Sequence, residues 1–533
     1  MKSSTTVFDG GNCIGGNKIH LQAGETGIFL DFGLNFKTLG MYFEEFLKPR
    51  TATHGIQDLI ALGIIPPFED IYREDAIIPG MTIKSGMRPK VDAVFISHAH
   101  VDHTGSISLI RPDIPVYGTH MTAVICKAMQ DCSRGGLEGE VAYYTIRVID
   151  EKNPDKITKK SKDPCISRSF SLVDRHGETD SIQQFWCRPY SGKELIASPL
   201  INSDGIVKDI PFEAIPVDHS IYGATCYVFD VGGRSFVYTG DFRLHGRRQE
   251  MSDAFVRRIK QISPDYLMVE GTNMGSHKGN DTIKGRRASE DDVYLNCLKA
   301  TKDASGRLVI ADFGPRNIER LEIFVEIARE TQRHLVITPK DAFMLYAMNL
   351  ADPNIPDILA DDVIMIYDSG KSKEAKWESG FIRQEFSSKY ITPKAVKAHP
   401  EDYILAFSFF DIANLLDIQP DGGIYIYSTC EAFSEEMVLD VWRLGNWLEH
   451  FGIEPVGFRI DRTGESPGEA EIEFTPGYHA SGHVSADELI DLIYDVKPKA
   501  IIPVHTEHPE IFADRFGKDF EVILPRHGVP IEL

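Results

Sequence analysis

The chain has 533 residues, 42% of them hydrophobic and 26% charged, and a formal net charge of −22. That length suits roughly two to four domains of ordinary globular composition. No apolar run approaches the ~18–20 residues that span a bilayer, and the acid excess argues against a surface that binds nucleic acid everywhere.

The opening residues, MKSSTTVFDGGN, lack the apolar core of a secretory signal, so a cytoplasmic protein with no membrane partner is expected. Eight scattered cysteines with no C-x-x-C pair read as free thiols in a reducing compartment. Residues 18–33 read as a β-hairpin. Ile19 and Leu21 alternate with polar neighbours, Ala23–Thr26 turns, and Gly27–Asp31 returns. Val91–Ser97 is a short apolar run of buried-strand type. The stretch 133–205 is polar with little periodicity and reads as a large, partly flexible excursion.

Strand character resumes at Ile210–Val217, Ala224–Phe229, Ser235–Thr239 and Tyr266–Glu270. From about Thr282 helical stretches such as Ile318–Arg329 alternate with apolar strands: Leu308–Ala311, Leu335–Thr338, Val363–Tyr367 and Gly423–Tyr427. That alternation predicts βαβ units and a parallel sheet. Ser485 with Glu488 forms a capping box that opens an amphipathic helix, Pro498 marks its end, and Ala500–Val504 is a strand running into His505.

The strongest chemical signal is His98-Ala99-His100-Val101-Asp102-His103 directly after a strand. In near-extended chain, residues i and i+2 point the same way, so His98 and His100 can hold one ion. Asp102 and His103 follow in a tighter turn and can face a second. Imidazole and carboxylate are ligands that zinc, manganese or iron accept. Four ligands cannot fill two coordination spheres, and the remaining candidates sit at strand ends: His219, Asp241 and His505. A lone histidine at a strand end is more often a satisfied polar residue than a ligand, but the H-x-H-x-D-H cluster is not accounted for that way. Asp31 reads equally as a turn residue or as the acceptor that orients a ligand imidazole.

The cluster His98–His103 with Thr104-Gly105 resembles the metallo-β-lactamase signature, and Asp31, His219 and Asp241 follow in that superfamily's order. The long insert before the last ligand resembles the β-CASP nuclease group. So do Leu267–Asn273 ending a strand in a carboxylate, the segment His479-Ala480-Ser481-Gly482-His483, and Ile502–Glu507, which is similar to the closing P-V-H-G-E of ribonuclease J. The resemblance implies an α/β fold: a metallo-β-lactamase αββα sandwich over 1–280 and 476–533, and an inserted β-CASP domain over 281–475. It implies two divalent ions, zinc first and manganese second, held by His98, His100, Asp102, His103, His219, Asp241 and His505. It further implies His483 near the leaving group with Glu270 as its partner, and His479 and Ser481 as phosphate contacts. A histidine at position 505 resembles the RNA-cleaving branch, so single-stranded RNA is the implied substrate. Thr506 and Glu270 depart from the family's usual Gly and Asp, and the short stretch after His505 leaves no place for the C-terminal dimerisation domain of bacterial members, so a homodimer is not supported from that source.

The reaction implied is in-line hydrolysis of a phosphodiester, with Asp102 among the catalytic groups and His483 protonating the departing oxygen. Arg316, in the Asp312–Asn317 turn between strand and helix, reads either as a phosphate contact or as a solvated turn residue. The basic clusters Arg247-Arg248, Arg257-Arg258 and Lys284–Arg287 read as strand guides or as plain surface. Two rivals share the metal motif: a hydrolase of a small ester or phosphodiester, which the acidic charge mildly favours, and an RNA-binding scaffold without catalysis, which would not keep every ligand position filled.

Overall fold

A computed structural model describes residues 3–533 except 45, 134, 161, 175–179, 276–281, 284–285, 315, 371–373, 430–434 and 463–469; Lys284 and Cys430 therefore lie outside the described residues. The chain divides into two compact units. The first comprises Met1–Leu244, Arg248–Ser276 and His483–Leu533, and the second His245–Arg247 and His277–Gly482.

In the first unit, two sheets pack face to face. One has the order Ile201–Asn202, Phe170–Leu172, Val116–Gly118, Ala93–Phe95, Thr26–Phe32, Lys18–Ala23, Ser3–Asp9, Pro530–Glu532. The other runs Ile206–Val207, Ile210–Pro216, Thr225–Asp230, Ser235–Tyr238, Tyr266–Glu270, Ala500–Val504, Glu521–Val522. The alternation read from the sequence explains the contact. Ile19, Leu21, Ile28 and Leu30 point from one sheet at Tyr227, Phe236, Met268 and Ile502 of the other. The second sheet's opposite face carries Val237, Leu267 and Ile501, which bury against Phe255 and Ile259 of helix Gln249–Ile262, Leu492 of helix Ala486–Val496 and Phe512 of helix Pro509–Phe516. Filled on both faces, this sheet is the rigid floor of the site: strands Ser235–Tyr238, Tyr266–Glu270 and Ala500–Val504 lie side by side in parallel.

The polar stretch 133–205 is not simply an excursion. Strands Phe170–Leu172 and Ile201–Asn202 extend the first sheet in parallel, and helix Asp180–Cys187 buries Phe185 and Trp186. Strands of two or three residues are too short to leave a readable period.

The second unit is built on a parallel sheet ordered Tyr390–Ile391, Ile364–Tyr367, His334–Ile337, Tyr403–Ala406, Val309–Asp312, Gly423–Tyr427, Ile453–Val456. Its apolar face holds Leu308, Ile310, Val336, Leu405 and Tyr425. Helices Glu290–Asp303 and Pro339–Ala351 start in capping boxes, Ser289 with Asp292 and Thr338 with Asp341. No helix of the described residues is long and apolar enough to cross a membrane.

Candidate metal centre

Strand Ala93–Phe95 delivers the chain into Ser97 and His98, and the one-turn helix Val101–Thr104 carries Asp102 and His103. His219 follows Ile210–Pro216, Asp241 follows Ser235–Tyr238, and His505 follows Ala500–Val504, so each is aimed by the end of a packed strand. The structure brings all seven expected ligands together in two groups. Atoms of His98, His100 and His219 lie within 4.8 Å of one another, as do atoms of Asp102, His103, Asp241 and His505. Nε2 of His98 is 3.0 Å from Nδ1 of His100, and Nε2 of His219 is 3.2 Å from that same atom. Asp241 Oδ2 is 3.0 Å from His103 Nε2, 3.5 Å from His505 Nε2 and 3.8 Å from His98 Nε2, which sets it between the groups.

Asp31 holds this cluster from behind. It is fully buried, sits at a left-handed φ of 56°, and accepts hydrogen bonds from Ser97 N (2.7 Å), Ser97 Oγ (2.8 Å) and Tyr238 Oη (2.6 Å). His103 Nδ1 donates to it at 2.7 Å, which leaves Nε2 to face the cluster. Asp241 Oδ1 is buried with no hydrogen-bond partner among the described residues, and His103 Nε2 has the Asp241 Oδ2 oxygen 3.0 Å away. Buried donors and acceptors are ordinarily satisfied. A buried ligand-type oxygen left unsatisfied among converging imidazoles and carboxylates is what a cation site presents, so these residues fit a metal.

Charge follows geometry. Burial and the neighbouring imidazoles push the His98 pKa well below the ordinary histidine value, favouring the neutral form that ligates. Burial alone would raise the Asp241 carboxyl, but His103 and His505 override it and hold it well below the usual range. Against its own burial, His103 is raised by Asp241, Asp31 and Asp102.

Beside the second group stands a separate pair. His483 Nδ1 lies 3.0 Å from Glu270 Oε2, and the Glu270 carboxylate is fully buried and accepts from Phe242 N at 3.0 Å. Burial opposes the charged imidazole, yet Glu270 and Asp241 raise the His483 pKa to about 9. Atoms of Asp241, Glu270, His483 and His505 also fall within 4.8 Å of one another.

Sequence reasoning missed several supports. Thr272 Oγ1 lies 2.9 Å from His505 Nδ1 and 3.2 Å from His483 Nδ1, joining the two imidazoles. The glycine-rich loop near the start cradles the site: Gly16 N donates to Asp102 O, and His505 N to Gly10 O. A Cβ at Gly15 would sit 2.6 Å from Asp102 Oδ2, and one at Gly33 would sit 1.6 Å from Asp102 O. Clustered glycines in GGNCIGGN were the available signal for so close an approach. His479 and Ser481 belong to the second unit, where His245 Nε2 lies 3.1 Å from Ser481 O. Arg316 is in that unit too, partly buried just before helix Ile318–Glu330.

Residues 470–525 match the family model described as the Zn-dependent metallo-hydrolase RNA specificity domain. The mixed α/β architecture, two facing sheets and a second unit on a parallel sheet, is consistent with the metallo-β-lactamase fold carrying a β-CASP-type insertion. The chain resembles ribonuclease J of Mycobacterium tuberculosis, with 20% identity over 502 residues that cover 89% of this chain and 70% of the relative. It is 24% identical to Integrator complex subunit 11 of Gallus gallus over 262 residues, 48% of this chain and 36% of that one. A solved structure titled as a protein of unknown function from Enterococcus faecalis V583 superposes with a TM-score of 0.66 at 22% identity, covering all of both chains.

Proposed function

We propose that this protein is a metal-dependent ribonuclease of the ribonuclease J type, hydrolysing phosphodiester bonds of single-stranded RNA in the cytoplasm. The observation that carries the reading is the convergence of seven ligand side chains in two adjoining groups, with the His483–Glu270 pair beside them. His98, His100 and His219 would hold one divalent cation, and Asp102, His103, Asp241 and His505 the other, with zinc preferred and manganese second. Two such cations supply Lewis acidity and make water nucleophilic near neutral pH.

The chain's own residues do the rest. Asp31 fixes the His103 ring so that Nε2 faces the cluster. Asp102, only partly buried, keeps part of its carboxylate open to solvent beside the cluster. His483 gives Nδ1 to Glu270, which leaves Nε2–H to protonate the departing 3′-oxygen, a contribution of ~10²–10⁴-fold. His479, Ser481 and Arg316 are assigned to phosphate contacts on the sequence resemblance. Support for RNA comes from the matched RNA specificity domain model and from the relatives named ribonuclease J.

The test is digestion of 5′-labelled and internally labelled single-stranded RNA with metal-stripped protein, then with zinc or manganese restored. Metal-dependent cleavage that is lost in His505→Ala supports the reading, and mononucleotides from the outset would mark exonucleolytic action. Cleavage of bis-p-nitrophenyl phosphate alone, with RNA untouched, would instead favour the small-ester hydrolase.

A further inference from the structure

The second unit contains a cavity of about 590 Å³, within the ~300–1,000 Å³ typical of small-molecule sites. Its place follows from the topology. After Val309–Asp312 the chain moves to His334–Ile337 on one side. After Tyr403–Ala406 it crosses to Gly423–Tyr427 on the other. Those two departing strands are neighbours, so a crevice opens at their carboxyl ends, the usual ligand position in a parallel sheet. Asp312, Thr338, Ala406 and Tyr427, each at or just past a strand end, line it.

The lining has a definite chemistry. Phe313, Trp377, Phe409, Phe410 and Tyr427 form aromatic walls. Asp312, Asp341, Glu378, Asp411 and Asp440 bring carboxyl groups, and Lys340 is the only Lys or Arg among the described lining residues. Three of the acids each use one oxygen on the protein. Asp312 Oδ2 accepts from Tyr425 Oη at 2.7 Å, Asp341 Oδ2 from Thr338 Oγ1 at 2.8 Å, and Asp411 Oδ2 from Ser408 Oγ at 2.6 Å. Among the described residues, no hydrogen bond is made to Oδ1 of these three.

A phosphate is a poor guest. The helix starts at Thr338 and Ser408 already donate their N–H groups to Asp341 and Asp411, so these carboxylates occupy the positions an anion would take. A single metal ion is also a poor guest. Among the described residues, the His, Cys, Asp and Glu groups close enough to share one ion all lie in the first unit. What remains is a cation with separated charges and an apolar body, which carboxylates and aromatic faces together recognise.

We propose that this cavity binds an organic polycation of the aliphatic polyamine class, its ammonium groups at Asp312, Asp341 and Asp411 and its methylenes along the aromatic walls. Burial first, and the Asp411 charge after it, push the Asp312 and Asp341 carboxyls up to about 7, and a cationic guest offsets both causes. The pocket's chemistry stands whether or not the chain cleaves RNA.

Calorimetric titration of the full chain with spermidine tests this at an ionic strength of about 0.15 M, which screens loosely held surface counterions. One saturable site is expected, weakened at least ~10-fold, or ~1.4 kcal/mol, in Asp312→Asn. Gly314→Trp is the second variant. Gly314 lines the cavity and a Cβ there meets no atom within 4 Å, so a bulky side chain can be added at the rim without displacing backbone, and the same loss is expected. Melting curves verify that both variants fold. Three results overturn the proposal: no saturable spermidine binding, wild-type affinity in the folded variants, or displacement of spermidine by inorganic phosphate.

Discussion

Asp31→Asn isolates the charge behind the metal centre. Asparagine matches aspartate in shape and tolerates the left-handed φ of 56° at this position, so the backbone need not move. Four donors converge on the native carboxylate: Ser97 N, Ser97 Oγ, Tyr238 Oη and His103 Nδ1. The amide keeps one acceptor oxygen and turns two hydrogens towards the others. Oδ2 alone serves three of the four donors, so if the NH₂ falls there, Tyr238, His103 and the Ser97 hydroxyl lose that acceptor. A buried donor left unpaired costs about 1–3 kcal/mol, so a loss of about 2–4 kcal/mol of stability is expected. His103 also loses the partner that fixes its tautomer, and metal affinity should fall ~10–100-fold, or ~1.4–2.8 kcal/mol. Urea unfolding of metal-stripped protein reads the first number, and zinc competition against a fluorescent chelator reads the second. Wild-type values in both assays would refute the role given to Asp31.

The remaining expectations concern neighbouring residues. Thr272→Val removes the hydroxyl 2.9 Å from His505 Nδ1 and should lower kcat about 10-fold with KM little changed, with Thr272→Ser restoring most of it; an unchanged kcat in the valine variant counts against a positioning role. In metal-stripped protein, His483 is raised to about 9, above its unfolded value of roughly 6.5. Its stabilising contribution, on the order of 3 kcal/mol, is therefore complete below pH ~6.5 and lost as pH rises through 9. Unfolding free energies across that window should fall more steeply in wild type than in His483→Gln, and parallel curves would contradict the pairing. Gly33→Ala places a Cβ 1.6 Å from Asp102 O and should cost ~3 kcal/mol or more, visible as a lowered Tm together with weaker metal binding; a wild-type melt would show that the loop yields freely.

Much of the architecture was written locally. Ile19 and Leu21 alternate because one side of their strand faces the opposite sheet, and Ser485 with Glu488 caps a helix within four residues. The β/α alternation from Leu308 onwards announced a parallel sheet, because buried strands and amphipathic helices have different periods. The stretch 133–205 was less legible, since pairing, and not periodicity, makes strands of Phe170–Leu172 and Ile201–Asn202.

By itself, the sequence determined which chemistry is present: the H-x-H-x-D-H run, and imidazoles and carboxylates at strand ends. Tertiary structure alone decided which atoms meet. Asp241 reaches both ligand groups, Thr272 joins His483 to His505, and Gly10, Gly15 and Gly16 press against Asp102 and His505 because strands distant in the chain end side by side. The same holds in the second unit, where strand order brings Asp312, Asp341 and Asp411 around one cavity. Local propensity fixes an element's type, whereas the convergence of its ends depends on packing between segments hundreds of residues apart, which no local pattern encodes.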